Sequence, residues 1–289
     1  MSSVARERSE SAIMRVTLDR ENLMKNHKIA NENYVMDVAY TLQYTRWLLS
    51  ILGVWPGLKR DSKKWQNWGS KILMTLCFSL LAFIVIPSGL HMILREKNRL
   101  VTLMLFGPVG FAFANVLKYC TLMFHREILK SCMEHLEFDW MQIETKNDRE
   151  IMTRNVNVGR KLTVISAIFM YTGGLSYHTI MPLWRGSEIN ELNETIRPLV
   201  YPGYDMFVDP QKSPIYEMIF YTHCFSSFVM YTITTAACNL AATFVAHACG
   251  QIEITMSRLE SLFENIDESN KVPDNRLGFV VTSHVRLLR

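Results

Sequence analysis

The sequence predicts an all-α membrane protein: a polytopic helical bundle whose N-terminus lies in the cytosol. Two observations carry this prediction. Four long windows of the chain are almost free of charged residues, and the Lys and Arg residues between these windows are unevenly distributed. A bilayer core of ~30 Å requires about 20 apolar residues of helix. A soluble bundle is disfavoured, because a soluble helix normally keeps one polar face.

The four windows, and hence the four predicted spans, extend over 72–94, 100–124, 162–184 and 218–252. Only the second contains a charged residue, Lys118, whose long side chain can reach the headgroups from within a span. The windows also contain proline and paired glycines, which membrane helices tolerate where neighbouring helices satisfy the freed backbone groups. The first span is expected to act as its own insertion signal, since the charged N-terminus has no apolar signal-peptide core.

The basic residues predict the orientation of these spans. Cytosolic loops of membrane proteins collect Lys and Arg. Segment 1–71 carries 12 such residues and the connection 126–161 carries seven, whereas the loop 184–217 has three against six acidic residues. The loop 184–217 is therefore expected outside the cell, and its Asn193-Glu194-Thr195 sequon makes Asn193 a candidate glycosylation site. The short loop 95–99, with three basic residues, mildly opposes this arrangement.

The segments that flank the spans predict further helices on the cytosolic side. The stretch 40–56 is apolar with one charge and too short for a span, so it suits an interfacial or re-entrant helix. Apolar residues at helical spacing continue the fourth span into the segment 253–289, and the connection 126–161 shows a similar pattern. These extensions are expected to pack as a cytosolic helical bundle.

The composition excludes several other classes of function. A net charge of +4 with high apolar content is untypical of nucleic-acid-binding or disordered chains. The six cysteines include no CxxC pair, and the four histidines within the windows lie on different spans, so neither a metal site nor a cofactor is predicted. No carboxylate lies within the windows, and no catalytic motif occurs. We therefore expect no enzyme activity and no catalytic residues.

Aromatic residues are dense in the outer halves of spans two to four. Small-molecule sites are mostly apolar and aromatic, with a few polar groups that orient the ligand. The sequence thus predicts a ligand site between these spans, although interhelical packing and contact with membrane lipid would explain the same residues. The candidate ligand-binding residues are Phe106, Phe113, Tyr171, Gly174, Tyr177, His178, Tyr221, Phe225 and Phe228.

Several short motifs, in their order along the chain, resemble those of the insect odorant receptors. Leu48-Leu49, Gly53 and Trp55-Pro56 are similar to the LL…GWP signature near the N-terminus of that family. The match extends from about residue 40 to the last residue, and its overall character is similar to the receptor repertoires of ants, bees and wasps. Further matching residues are Tyr201-Pro202, Asp209, Ser213-Pro214, Tyr216, His247, Gln251, Leu259, His284 and Leu287-Leu288.

The resemblance implies a seven-helix receptor of inverted topology, in the plasma membrane of olfactory sensory neuron dendrites. Such a receptor would bind a small volatile odorant and assemble with the shared olfactory co-receptor into a tetrameric, odorant-gated cation channel. The family's binding sites lie in the outer half of the membrane, where the aromatic candidates fall. Many relatives have Gln where this chain has His223. Since four of seven spans are present, the resemblance implies that the segment 253–289 leads to a missing fifth span and that the chain is a fragment without the pore helix.

Two alternatives remain open from the sequence. A gustatory receptor would share the architecture but respond to contact chemicals. A four-span membrane scaffold or interaction protein would bind no small ligand and would use the aromatic residues for packing alone.

Overall fold

The computed structural model describes residues 30–55, 64–180 and 195–269, together with residues 184, 186, 188 and 189. Within this part the chain is a bundle of seven α-helices, so the predicted all-α membrane architecture is confirmed. The helices are α1 (Tyr34–Thr41), α2 (Gln43–Ile51), α3 (Lys64–Leu94), α4 (Arg99–Phe124), α5 (Arg126–Met141), α6 (Lys146–Leu175) and α7 (Ile215–Ser269).

The connection between α6 and α7 adds only short elements. A single π-helical turn, Ser176–Ile180, extends α6. Two short strands, β1 (Glu188–Ile189) and β2 (Thr195–Ile196), pair antiparallel. A 3-10 turn at Tyr204–Met206 then precedes α7. We call the end of the bundle that carries this connection the loop end.

Three helices are long and apolar enough to cross a membrane: α3 over Trp65–Leu94, α4 over Arg99–Phe124 and α7 over Ile215–Ser261. These correspond to predicted spans one, two and four. The third predicted span, 162–184, is not among the helices of the described residues that meet this criterion. The reason is that charged residues occupy α6 up to Lys161, which leaves a short apolar part before the α-helix ends at Leu175. The third span stays a prediction.

Helix α7 is the centre of the bundle and packs against α2, α3, α4 and α6. It runs without interruption for 55 residues, or roughly 80 Å at the α-helical rise. The side chains of Met230, Ile233 and Ala236 are fully buried along its inner face. Because α7 continues to Ser269, one element connects the loop end with the opposite end of the molecule.

The closest helix pair is α6 with α7, and small residues allow the approach. A Cβ atom on Gly159 would lie 2.9 Å from the Cβ atom of Ala246, and one on Gly250 would lie 2.6 Å from the Met152 sulfur. Without side chains at these two points, the backbones come together as small residues permit in membrane helices. The residue that caps the start of α6 is Thr145, whose hydroxyl accepts a hydrogen bond from the Asp148 amide at 3.1 Å.

Residues 40–55 form the end of α1, the helix α2 and the turn that follows it, with a break between the two helices at Leu42, where one interfacial helix was expected. The signature residue Gly53 lies against α3, and Pro56 is outside the described residues. Leu49 is fully buried, and Gly53 has a φ of 72°, which only glycine adopts without strain. The Gly53 carbonyl accepts a hydrogen bond from the Ser70 hydroxyl of α3. The depth of this segment in the membrane stays a prediction.

Candidate ligand-binding site

A cavity of about 410 Å³ lies between α4, α6 and α7 at the loop end. We call it the aromatic cavity, since five of its nine lining residues are Phe or Tyr. Its lining includes no Asp, Glu, Lys or Arg from the described part of the chain. The lining residues are Pro108, Phe111, Phe169, Met170, Gly174, Tyr177, His178, Tyr201 and Tyr231.

His178 on the π-helical turn connects three parts of this wall. Its side chain is buried, and its Nδ1 lies 2.6 Å from the Tyr231 hydroxyl of α7. Its Nε2 lies 3.2 Å from the hydroxyl of Tyr201, which belongs to the α6–α7 connection. Nδ1 also lies 3.0 Å from the Gly174 carbonyl, which can only accept, so the proton lies on Nδ1 and Nε2 accepts a hydrogen bond from the Tyr201 hydroxyl. The connection is thereby attached to both helices.

A second histidine makes a similar attachment between α7 and α3. Pro87 has no amide proton, so the carbonyl of Phe83, four residues earlier, lacks its helical donor. The hydroxyl of Tyr204 donates to this carbonyl at 2.8 Å. A tyrosine hydroxyl has one proton, so Tyr204 must accept from His223, whose Nε2 is 2.8 Å away. A loop tyrosine thus replaces the missing backbone donor and is itself held by α7.

The two attachments meet in one buried group of five side chains, the histidine–tyrosine cluster: His178, Tyr201, Tyr204, His223 and Tyr231. The ring of Tyr201 lies between the two histidines, with centroid distances of 5.5 Å to His178 and 5.3 Å to His223. Burial raises the pKa of the Tyr201 and Tyr204 hydroxyls above the ordinary tyrosine value, so both are neutral donors. Their polar atoms largely satisfy one another.

Two glycines permit the close packing around this cluster. A Cβ atom on Gly174 would overlap the ring of Tyr231, so any larger residue there would displace the tyrosine. Gly203, with a φ of 104°, turns the loop against the backbone of Pro87, where a side chain would meet the Pro87 carbonyl. The positions of Tyr204 and Tyr231 therefore depend on glycine at these two points.

The structure brings together some of the residues predicted from the sequence. Gly174, Tyr177 and His178 line the aromatic cavity. Tyr171 lies beside it, with its ring 6.3 Å from that of Tyr231 and its hydroxyl 2.8 Å from Thr232. Phe228 contacts the other side of Tyr171, at 5.6 Å between ring centroids.

The other predicted residues lie away from the cavity. Phe106, Phe113, Tyr221 and Phe225 do not line it, and each exposes more than half of its surface in this single chain, for example 66% for Phe225. Asn193 lies outside the described residues. The part that each of these residues plays in ligand binding or modification stays a prediction.

Sequence reasoning missed several lining residues, chiefly Phe169, Tyr201 and Tyr231. Tyr231 lies in the middle of an uncharged window, where nothing local distinguishes it from a packing residue. Tyr201 lies in a loop predicted to be outside, and only its place in the Tyr201-Pro202 motif could have drawn attention to it. The described residues contain no group of three metal-ligating side chains, so the arrangement presented here is one for neutral, apolar and hydrogen-bonding contacts.

Two comparisons with known proteins bear on the identity of the chain. No curated protein matches the chain. A family model described as 7tm Odorant receptor matches residues 100–289, which is more than half of the chain and includes every residue that lines the aromatic cavity. The predicted resemblance is thereby confirmed, and the chain belongs to the odorant receptor family.

Proposed function

We propose that this odorant receptor binds a small volatile odorant in the aromatic cavity and, together with the olfactory co-receptor, gates a cation current. The observation that supports it most directly is the cavity itself, whose lining lies entirely within the part of the chain that matches the family. The assembly is proposed to be a tetramer in the plasma membrane of olfactory neuron dendrites, as the family resemblance implies. The family match favours this function over a gustatory receptor or a scaffold without a ligand.

The chemistry of the wall indicates the kind of ligand. Aromatic rings and the side chains of Phe169 and Met170 would cover an apolar body. The absence of charged groups from the described lining disfavours carboxylates and ammonium ions, which would be desolvated without a partner. Tyr177 lines the cavity, and its hydroxyl makes no hydrogen bond within the described part of the chain. A neutral ligand with one carbonyl or hydroxyl group would use it.

The mechanism requires that the ligand prefer one conformation of the receptor. A ligand shifts an equilibrium only through its different affinities for the two states. The cavity is bounded by α4, α6, α7 and the α6–α7 connection, so an occupant touches all four at once. Because α7 reaches from this site to the opposite end of the bundle, a small change in its position would be transmitted along the molecule.

The test is to express the receptor from its native transcript together with the co-receptor and to record odorant-evoked cation currents. Tyr177→Phe should raise the half-maximal concentration of ketones and alcohols about threefold to tenfold, as expected for the loss of one hydrogen bond. Hydrocarbons of the same shape should be affected little. Tyr221→Phe is the matched control, since Tyr221 is a predicted ligand residue that does not line the cavity.

Equal shifts for Tyr177→Phe and Tyr221→Phe would contradict the assignment of the site to this cavity. If Tyr177→Phe leaves every response unchanged, its hydroxyl does not contact the ligand. Binding of odorants to the purified chain without any current from the complete complex would retain the ligand proposal and overturn the channel proposal.

A further inference from the structure

A second cavity, of about 710 Å³, lies between α1 and the first half of α6 and shares no lining residue with the aromatic cavity. We call it the basic cleft. Four cationic side chains line it, against two carboxylates, Asp37 and Glu150. The cations are Lys146, Arg149, Arg154 and Lys161.

The ion pairs within the cleft leave positive charge uncompensated at one end. Arg149 forms two hydrogen bonds to the Asp37 carboxylate, at 2.7 and 2.8 Å. Burial alone would raise the pKa of Asp37, but the contacts with Arg149 and Asn31 hold it below its usual value. Lys146 and Glu150 form an exposed pair at 3.8 Å, which attracts weakly in water. Arg154 pairs with Glu253 of α7. Lys161 has no acidic partner within the described part of the chain.

Neutral hydrogen-bond donors lie in line with Lys161. Thr153, Asn157 and Lys161 recur at every fourth residue and so lie along one side of α6, spread over roughly 12 Å. The Tyr40 hydroxyl donates to the Asn157 side-chain oxygen at 2.7 Å, which fixes the amide. The Asn157 amide hydrogens and the Thr153 hydroxyl make no hydrogen bond within the described residues, so three donors are available together.

The end of the cleft that carries Lys161 lies where the sequence of α6 changes from charged to apolar. Lys161 is the last charged residue before the apolar run that begins at Leu162. If that run spans the membrane as predicted, Lys161 lies at headgroup depth. The same topology makes this the cytosolic side, where the leaflet carries anionic lipids and basic cavities beside membrane helices bind their headgroups.

From this arrangement we infer that the basic cleft binds the phosphate-bearing headgroup of an anionic membrane lipid, such as a phosphoinositide. Lys161 supplies the charge, and Asn157 and Thr153 donate to phosphate oxygens or inositol hydroxyls. The N-terminal residues 1–29 are an unsuitable occupant, because they carry six Lys and Arg against four acidic residues. The inference does not depend on the odorant proposal, since no residue is shared between the two cavities.

The experiment uses the full chain in nanodiscs of phosphatidylcholine that contain a small fraction of phosphatidylinositol 4-phosphate. Native mass spectrometry measures how much of the phosphoinositide stays bound. Lys161→Gln should weaken this binding roughly fivefold, the effect of about one basic residue at a membrane surface. Thr153→Val should weaken it by a smaller factor and tests the neutral donors without a change in charge.

Lys71→Gln is the matched control. Lys71 is likewise the last charged residue before an apolar window, that of α3, and it does not line the cleft. It should leave binding unchanged, and an equal loss for both lysine variants would overturn the inference by showing general attraction to the surface. Retention no greater than that of phosphatidylcholine would also overturn it.

Soluble inositol 1,4-bisphosphate distinguishes the two sources of phosphate. Displacement of the lipid only at concentrations far above that of the phosphoinositide supports a lipid headgroup. Displacement at comparable concentrations supports recognition of the phosphate but overturns the assignment to a membrane lipid.

Discussion

The two ends of this bundle differ in the contacts of their most buried polar groups, whereas the ion pairs of the loop end, such as Arg95–Asp205 and Arg197–Glu217, are more exposed. At the loop end, the histidine–tyrosine cluster joins α3, α6, α7 and their connection through neutral hydrogen bonds. At the opposite end, which we call the ion-pair end, Asp37 with Arg149 and Asp148 with Arg258 join α1 and α7 to α6 through charged contacts of 2.7 Å. Both sets lie at least partly buried, and both connect segments that are distant in sequence.

The difference follows from the surroundings of each set. Burial of a neutral tyrosine or histidine costs little free energy when its hydrogen bonds are satisfied, whereas a buried ion needs a close partner of opposite charge or residual solvent. The histidines of the cluster belong to uncharged windows, and the acids and arginines of the ion-pair end lie outside them. The bundle therefore has neutral networks within its uncharged windows, where it borders the proposed ligand site, and paired charges outside those windows.

The largest expected effect is at the ion-pair end. The Asp148 side chain is 4% exposed and accepts from Arg258 at 2.7 Å. Arg258→Met removes this cation and leaves a buried carboxylate without it, so the free energy of unfolding should fall by ~3–5 kcal/mol. Unfolding of the chain in mixed micelles measures this quantity.

The matched control for Arg258→Met is Glu150→Gln, which removes an exposed ion pair on α6, the helix that carries Asp148. Its effect should be about 0.5 kcal/mol or less. Similar losses of unfolding free energy for the two variants would contradict this account, since burial would then have no effect on how strongly these ion pairs stabilise the fold.

At the loop end, Gly174→Ala should have an intermediate effect. The added methyl group would overlap the Tyr231 ring and separate its hydroxyl from His178. We expect a loss of ~1–3 kcal/mol in the free energy of unfolding, together with weaker odorant responses. Gly173→Ala is the control, because a Cβ atom there meets nothing within 4 Å. It should be neutral or stabilise the helix, and a loss equal to that of Gly174→Ala would contradict the packing described here.

The smallest of the three effects on the free energy of unfolding is expected for loss of the Tyr204 hydroxyl. Tyr204→Phe removes hydrogen bonds to the Phe83 carbonyl and to His223, and should reduce the free energy of unfolding by about 1 kcal/mol. In a Pro87→Ala background the helix regains an amide donor for Phe83. The loss from Tyr204→Phe should then be smaller, and a double-mutant cycle measures this coupling. Strictly additive effects would show that Tyr204 does not replace the missing donor.

Much of the fold could be predicted because the signal lies along the chain. The windows at 72–94, 100–124 and 218–252 fall within α3, α4 and α7, since the exclusion of charge from long helices is a local property of the sequence. The third window was harder to interpret. Its apolar residues follow the charged half of α6, and the α-helix changes to a π-helical turn at Ser176.

The candidate site could be predicted only in part. Gly174, Tyr177 and His178 lie in the cavity because aromatic and small residues on one stretch of α6 are visible as a local cluster. Tyr231 and Tyr201 could not be selected, as their role depends on which helix faces them. The four histidines of the windows also looked separate in sequence, yet Tyr201 brings His178 and His223 into one cluster.

Hydropathy and the order of motifs along the chain were enough to predict an α-helical membrane protein of the odorant receptor family. Which side chains enclose a cavity and which face outward depended on how the helices pack. Phe225 and Tyr231 belong to the same uncharged window, but the first is 66% exposed and the second lines the cavity. The physical reason is that a helix presents every side chain at some angle, and its neighbours alone determine which angles are buried.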